Sequence, residues 1–178
     1  MSDKRNLPRL DRSAYRGRAV VHWVFNVADR KTGWLNEPFF LEFQLAATHT
    51  FARYDLVSPC ICLMPDHIHL LVMGVDERGS DQKVAIPFLR RHLGDAFPEG
   101  MGLQKTPYDH VLRSEERKQG AFMKMAGYVR ENPLRAGLVD SSQAWPYECA
   151  IVPGYPKMDV RDENFWETFW KIYYKQLK

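Results

Sequence analysis

The hydrophobic pattern of the chain changes several times between the period of a strand and the period of a helix. Short apolar runs rich in valine, isoleucine and leucine predict strands. These strands lie at residues 19–26, 56–63, 67–72 and 108–113. Apolar residues at three- and four-residue spacing predict helices between them. The helices lie at residues 37–53, around Ile86 to Leu93, and at the stretch that includes Phe122, Met125 and Val129. The order β-α-β-β-α-β-α predicts an α+β fold of the ferredoxin-like class, an antiparallel sheet with helices packed on it.

Three residues are expected to bound these helices. Pro87 either starts or kinks the second helix. Ser114 is a candidate N-cap for the third helix, since its hydroxyl can accept a hydrogen bond from a free backbone N–H. Pro133 is expected to end the third helix, because proline lacks an N–H and disfavours helical geometry in the residue before it.

A last helical stretch, behind Asp162, carries large apolar side chains. They are Phe165, Trp166, Phe169, Trp170, Tyr173 and Leu177. So many apolar groups are too costly to leave in water, and we expect this helix to dock on the sheet or on the third helix. The alternative is an aromatic platform on which DNA bases stack.

The strand at 67–72 carries two histidines separated by one aliphatic residue. Side chains alternate across a strand, so His67 and His69 share one face while Ile68 and Leu70 face a core. The histidine face is expected to be free for function. Two imidazoles on a rigid strand can share one divalent ion. A chance pair on a half-buried strand is the alternative, and this motif alone does not decide between the two.

A tyrosine and an asparagine occur one helical turn apart at the end of the third helix. Tyr128 and Asn132 are four residues apart, so they lie on one stripe of that helix. A phenol that could attack phosphorus and an amide oxygen that could complete a metal site would therefore arrive together. Taken singly, each is equally well an ordinary surface or helix-end residue.

Four blocks along the chain, taken together, resemble the HUH single-tyrosine transposases, and most closely the REP-associated tyrosine transposases of bacteria. The blocks are the His67 to Val72 strand, the Tyr108 to Arg113 strand, the Tyr128 to Val139 helix end, and Ala144 to Tyr147. The resemblance covers roughly residues 15–150 and departs in the N-terminal arm and the tail. Four ordered blocks are far more specific than a single His-x-His motif.

The resemblance implies a chemistry and a substrate. Tyr128 matches the nucleophile of the family, His67 and His69 match its metal ligands, and Asn132 sits where the family places a polar third ligand. It implies an HUH-endonuclease fold, a divalent metal (Mg or Mn), and single-stranded DNA with a hairpin as the partner. Cleavage would proceed through a covalent 5′-phosphotyrosine. Related transposases act as monomers or as homodimers, so both states stay open.

The domain organisation follows from the same comparison. Residues 1–18 are predicted to form a basic N-terminal arm, residues 19–150 the transposase domain, and residues 151–178 a tail with the aromatic helix. The chain has 178 residues and 45% hydrophobic content, enough for one well-packed domain. No apolar run approaches the length of a membrane span, so a cytoplasmic location in a bacterium is expected. Three cysteines, an odd number, favour reduced thiols over a disulfide framework.

The net charge of +3 is modest, but the basic residues are clustered. Clusters lie in the N-terminal arm, at Arg90 and Arg91, and around the tyrosine helix. The residues proposed to contact DNA phosphates are Arg12, Arg16, Arg90, Arg91, Arg113, Arg117, Lys124 and Arg130. A solvated surface is the commoner explanation of any one cluster.

Two other classes of function are considered. In a hairpin that turns at Pro65 and Asp66, Cys62 would lie opposite His69, and a small Cys/His zinc site could form. That class explains neither Tyr128 nor the Asn132-Pro133 block. The other is a hairpin-binding protein that kept the fold and lost catalysis.

Overall fold

The structure is a computed structural model that describes residues 10–118, 120–141 and 144–178, without the side chains of Arg117 and Lys118. Residues 1–9 of the predicted basic arm therefore lie outside the described residues. The strands are Val20–Asn26 (β1), Leu56–Met64 (β2), His67–Gly74 (β3), Tyr108–Val111 (β4) and Glu148–Ile151 (β5). The α-helices are Glu37–Arg53 (α1), Gln82–Gly94 (α2), Ser114–Lys118 (α3), Ala121–Arg135 (α4) and Phe165–Gln176 (α5). Short 3-10 helices at Arg12–Tyr15 and Ala28–Arg30 precede and follow β1.

The strands form one antiparallel sheet in the order β4-β1-β3-β2-β5. The first four reproduce the β-α-β-β-α-β arrangement of the ferredoxin-like class, which confirms the predicted fold. β5 adds a fifth strand at the edge beside β2, which the sequence pattern did not predict. The indole N–H of Trp145 donates to the carbonyl of Leu63 at 2.8 Å, so the Ala144 to Tyr147 block attaches the chain to β2 just before β5 begins.

The sheet is buried on both faces, which corrects the expectation that the histidine face is free. One core lies against α1 and α2 and contains Ile68 and Leu70. The other lies against α4 and α5 and contains Leu71, Phe122 and Phe169. Every residue of β2 is buried, because helices cover both sides of this strand.

The C-terminal aromatic helix packs as structure, as predicted. Phe165, Phe169 and Tyr173 are buried in the second core, and the hydroxyl of Tyr173 donates to the carbonyl of Gly74 at 3.0 Å. The ring of Phe122, on α4, lies 5.0 Å from that of Trp170. This helix therefore holds α4, and with it Tyr128, against the sheet.

We expect Phe169→Ala to lower the free energy of unfolding by about 3–5 kcal/mol, because it removes a fully buried ring and leaves a cavity. Denaturant-induced unfolding followed by circular dichroism measures this. Tyr174→Ala is the matched control, since that ring is 66% exposed on the same helix and its loss should change stability by less than about 1 kcal/mol. Equal losses in both variants would show that α5 is not docked.

The structure shows that Pro87 does not start the second helix and that Ser114 does not cap the tyrosine helix. Pro87 lies inside α2, which begins after Asp81, whose side chain accepts from the backbone N–H of Lys83. Ser114 begins the short helix α3 and does not cap α4. Instead α4 follows Gly120, whose φ of 76° breaks the helix between the two segments, a left-handed conformation that glycine adopts without strain.

The end of the tyrosine helix also differs, because Pro133 lies inside α4. Proline removes only one hydrogen bond, and the helix continues past it. The backbone N–H groups of Ala136 and Leu138 donate to the carbonyls of Asn132 and Pro133, both at 2.9 Å. The helix ends at Arg135, and Gly137, two residues further on, has a φ of 69° and provides the left-handed residue that closes the C-terminus. Asn132 therefore lies within the last helical turn.

Within the described residues, no helix is long and apolar enough to cross a membrane. The three cysteines, Cys60, Cys62 and Cys149, are buried free thiols, as predicted.

Candidate active site

The two histidines of β3 face each other across the predicted metal position. The Nε2 atoms of His67 and His69 lie 2.9 Å apart, and their rings are nearly perpendicular. His69 is 3% exposed, whereas the His67 side chain is 18% exposed at the end of the strand. The alternation of a strand places both on one face of the sheet, as predicted, and α4 packs on this face.

The outer nitrogen of His67 is held by a carboxylate. Its Nδ1 lies 2.6 Å from an oxygen of Asp66, and the other oxygen of Asp66 accepts from Arg30 at 2.9 Å. Burial raises the pKa of Asp66, but the His67 hydrogen bond and the charge of Arg30 outweigh it and keep the pKa below its usual value. Asp66, Asp109 and His110 lie near the histidines in the sequence or on the next predicted strand along the chain and are all candidates to orient them, and the structure places Asp66 beside His67. Asp109 instead bonds the hydroxyl of Tyr15 on the opposite face.

Nδ1 of His69, the ring nitrogen that faces away from His67, contacts His22. The sequence pattern did not assign His22 to the site. His22 Nε2 lies 2.9 Å from His69 Nδ1, and the rings stack with centroids 5.1 Å apart. Burial, with His22 and His67 nearby, lowers the pKa of His69 to about 3. Burial, with His110 and His67 nearby, lowers the pKa of His22 to about 4. Both rings are therefore neutral at physiological pH, the form that can bind a metal.

The side chain of Asn132, on α4, lies next to His69. Its Nδ2 donates to the backbone carbonyl of Tyr128 at 2.6 Å. A hydrogen bond with the Asn132 side chain also raises the pKa of His69, which is the effect of an accepting oxygen. The amide oxygen therefore faces the histidines.

Tyr128 lies beside this cluster in the same chain. Its ring is 5.7 Å from the ring of His69 and 6.1 Å from that of His22, edge-on to both. The side chain is 39% exposed, so a substrate could reach it. The guanidinium of Arg135 lies 5.2 Å from the ring centroid, one more cationic group near the phenol.

The donors present fit a divalent ion. Two ligand nitrogens at bond lengths of about 2.1 Å and a right angle lie about 3 Å apart, close to the separation of the histidine Nε2 atoms. With Nδ1 of each ring occupied by Asp66 or His22, both Nε2 lone pairs can point to a common position, and the Asn132 oxygen joins them. The described residues contain no group of three or more His, Cys, Asp or Glu side chains arranged to hold a metal. The candidate set is therefore two imidazoles and one amide.

A Cys/His zinc site is not supported. Cys62 does pair with His69 across the hairpin, as predicted. However, burial raises the pKa of the Cys62 thiol, which disfavours the thiolate that zinc requires, and its sulfur contacts that of Met64 at 3.8 Å.

The predicted DNA contacts fall in different environments. Arg12 and Arg16 both pair with Asp81 at 3.0 Å, and Arg130 lies 3.6 Å from Glu148. Arg90 donates to backbone carbonyls of Gln104 and Lys105 and is partly buried. Arg91, Arg113 and Lys124 are exposed, and the Arg117 side chain lies outside the described residues.

A groove of about 1750 Å³ lies along β4 and brings several of these residues together. Arg12, Arg90, Arg91 and Arg113 line it, with Lys105. Tyr108, also missed in the sequence reasoning, is 59% exposed in this groove. Tyr108 pairs with Val24, which pairs with His69, so the backbones of Tyr108 and His69 lie about 10 Å apart and their side chains leave the same face of the sheet. A large exposed aromatic between lysine and arginine residues is the signal that could have identified it.

Comparisons with known proteins agree with these motifs. No family model matches the chain. A curated protein of Haemophilus influenzae, named as a REP-associated tyrosine transposase, is 26% identical over 133 residues, which covers 67% of this chain and 72% of that protein. A solved structure of a REP-associated tyrosine transposase bound to a REP hairpin has the same fold. It superposes with a TM-score of 0.66 at 15% identity, covering 80% of this chain and 82% of that one. The sequence and fold comparisons thus confirm the resemblance of this chain to the REP-associated tyrosine transposases.

Proposed function

We propose that the protein is a metal-dependent single-stranded DNA endonuclease and strand transferase. In this proposal it recognises DNA hairpins and cleaves through a covalent 5′-phosphotyrosine. The observation that carries the proposal is the convergence of Tyr128, His67, His69 and Asn132 at one partly buried point, where Tyr128 is the most exposed of the four. These are the residues that match the transposase motifs, and they come from two elements far apart in the sequence.

Tyr128 supplies the nucleophile. Its oxygen attacks phosphorus, a bond forms between the tyrosine oxygen and the 5′-phosphate, and the bond from phosphorus to the 3′-oxygen breaks. The phenol gives up its proton, and the departing oxygen takes one to become a 3′-hydroxyl. The energy of the phosphodiester is kept in the new link, so a 3′-hydroxyl of another strand can reverse the reaction. No nucleotide hydrolysis is needed.

The remaining residues prepare the phosphate for attack. His67, His69 and Asn132 would hold Mg or Mn, which supplies positive charge to the non-bridging oxygens. Asp66 and His22 orient the two imidazoles. The half-exposed position of Tyr128 at the surface of α4 suits a strand that is not paired, because a duplex would hide the bases.

The groove along β4 is the proposed path of the DNA strand. Arg91, Arg113 and Lys105 are exposed and can neutralise phosphates, while Tyr108 offers a face on which a base can stack. Most of this groove lies on the α2 side of β4, opposite the histidines, so a DNA strand would pass around the edge of the sheet at Tyr108 to reach His69. The solved structure with the same fold is described as bound to a REP hairpin, and a DNA hairpin is the partner proposed for this groove. Because Tyr128 and the two histidines belong to one chain, the proposal applies to a monomer and to a homodimer.

The test is incubation with single-stranded repeats from the genomic region around the source gene, with Mg or Mn added. We expect a covalent protein–DNA adduct on a denaturing gel and a free 3′-hydroxyl on the released fragment. Tight hairpin binding without any adduct would instead indicate a binding protein that has lost catalysis. Cleavage that leaves both DNA ends free would contradict a tyrosine nucleophile.

We expect the Arg91→Ala, Arg113→Ala double variant to bind the hairpin more weakly and to reduce the slope of log affinity against log salt by about 1 to 2, because each phosphate contact releases counterions. Fluorescence anisotropy at several salt concentrations measures both quantities. Arg161→Ala is the matched control, since this exposed arginine pairs with Asp159 in the tail. An unchanged slope in the double variant, or equal affinity for hairpin and duplex, would place the DNA elsewhere.

A further inference from the structure

The imidazole of His22 is a buried polar group in an apolar strand. It is 4% exposed on β1, between Val21 and Trp23, and it contacts His69 through a single ring nitrogen. His22 does not reach the point where the other donors converge, because its Nε2 is directed at the outer nitrogen of His69. Its role must therefore act through His69.

When no ion is bound and His67 carries a single ring proton, the hydrogen bonds among the histidines have one consistent direction. The carboxylate of Asp66 only accepts, so a neutral His67 donates from Nδ1 and keeps a lone pair on Nε2. That lone pair accepts from Nε2–H of His69, at 2.9 Å. Nδ1 of His69 then accepts from Nε2–H of His22, also at 2.9 Å. Each of these three contacts is then a satisfied hydrogen bond.

When an ion binds His69, the hydrogen bond between His69 and His22 must reverse its direction. A ligand nitrogen must offer a lone pair, so His69 has to carry its proton on Nδ1 and leave Nε2 bare. The Nδ1–H then points at Nε2 of His22 and needs an acceptor there. His22 can accept only if its own proton is on Nδ1. The proton of His69 and the proton of His22 therefore each move from Nε2 to Nδ1. The total number of protons on these two rings does not change.

We infer that His22 is a positioning residue whose tautomer switches together with that of His69 when a divalent ion binds. An imidazole suits this place because one nitrogen can donate in one state and accept in the other. The inference rests on the proposed metal site and extends it to a residue that does not touch the ion. It also specifies the protonation of both rings in the absence of metal.

The first test is the tautomeric state of the histidines by long-range ¹H–¹⁵N NMR of the full chain. Without metal, His22 and His69 are expected to be protonated on Nε2. With saturating Mg²⁺, both are expected to be protonated on Nδ1. A His69 that keeps one tautomer in both conditions, or a His22 that keeps its Nε2 proton with the ion bound, overturns the coupled switch.

The second test is Mn²⁺ affinity by electron paramagnetic resonance. His22→Met removes the hydrogen-bonding nitrogen at similar volume and should weaken Mn²⁺ binding about 10–100-fold. His22→Gln should recover most of that loss, because an amide can turn to donate or accept. His110→Gln is the control, since His110 lies opposite His22 on β4 and pairs with Glu116.

The outcomes separate this inference from the proposed function. If the wild-type protein binds neither Mg²⁺ nor Mn²⁺, the metal-dependent function fails and the switch fails with it. If the wild type binds Mn²⁺ and His22→Met binds it equally well, only the role of His22 fails. Should His22→Met not fold, the NMR test on the wild-type chain with and without Mg²⁺ still decides whether the two tautomers switch together.

Discussion

Tyr128→Phe is expected to abolish strand cleavage and adduct formation while leaving the fold and hairpin binding intact. The substitution keeps the ring and its edge-on contacts with His22 and His69 but deletes the attacking oxygen. Because the side chain is 39% exposed, the free energy of unfolding should change by less than about 1 kcal/mol. Denaturing gels measure the adduct, and anisotropy measures hairpin binding.

The structure offers a matched control for this substitution. Tyr108→Phe removes an exposed phenol from the same side of the sheet but retains a ring for stacking, so cleavage should continue. Peptide mass analysis of the wild-type adduct should place the link at Tyr128 through a 5′-phosphate. An adduct that persists in Tyr128→Phe would falsify the assignment of the nucleophile, and hydrolysis without an adduct would point to an activated water.

The strand period was sufficient to place His67 and His69 on one face, because alternation depends only on local geometry. The helical period of the apolar residues likewise predicted α1, and the observed helix confirms the predicted range of 37–53. Asn132 was correctly placed one turn after Tyr128, since that spacing is also local. These features are properties of single elements.

Features that depend on contacts between elements could not be predicted in this way. The bond from His22 to His69 joins residues 47 positions apart and depends on the register of β1 against β3. A histidine inside an apolar strand was the available signal, because a buried polar group needs a partner. The burial of the histidine face depends likewise on α5, which returns to cover it from the end of the chain.

Helix ends were mispredicted for a different reason. Glycine, not proline, sets the ends of α4, because a proline inside a helix removes one hydrogen bond whereas a left-handed glycine stops the helix. Gly120 and Gly137 therefore bound α4, and Pro133 lies inside it. The difference matters for the site, because Asn132 keeps helical geometry and its amide stays one turn from Tyr128.

His67→Ala is expected to abolish cleavage while reducing hairpin affinity little, because the proposed DNA path runs through the basic groove and not through the imidazole. Isothermal titration with Mn²⁺ should show loss of the binding event. The result for His67→Ala is easier to interpret than that for His69→Ala, because replacing His69 also lowers stability. His69 is 3% exposed, and its removal leaves His22 without its partner at a cost of about 1–3 kcal/mol in stability.

Substitutions of Asn132 test the same proposed metal site. Asn132→Ala should be milder than His67→Ala, since water can replace a neutral oxygen ligand, and Asn132→Asp should retain metal binding because a carboxylate oxygen is a stronger ligand for Mg²⁺ or Mn²⁺. Chelation of the wild type should stop cleavage, and added Mn²⁺ should restore it. Full activity in the His67→Ala, His69→Ala double variant would remove the metal from the mechanism. In that case Arg135, 5.2 Å from the Tyr128 ring, would become the cation to test at the phosphate.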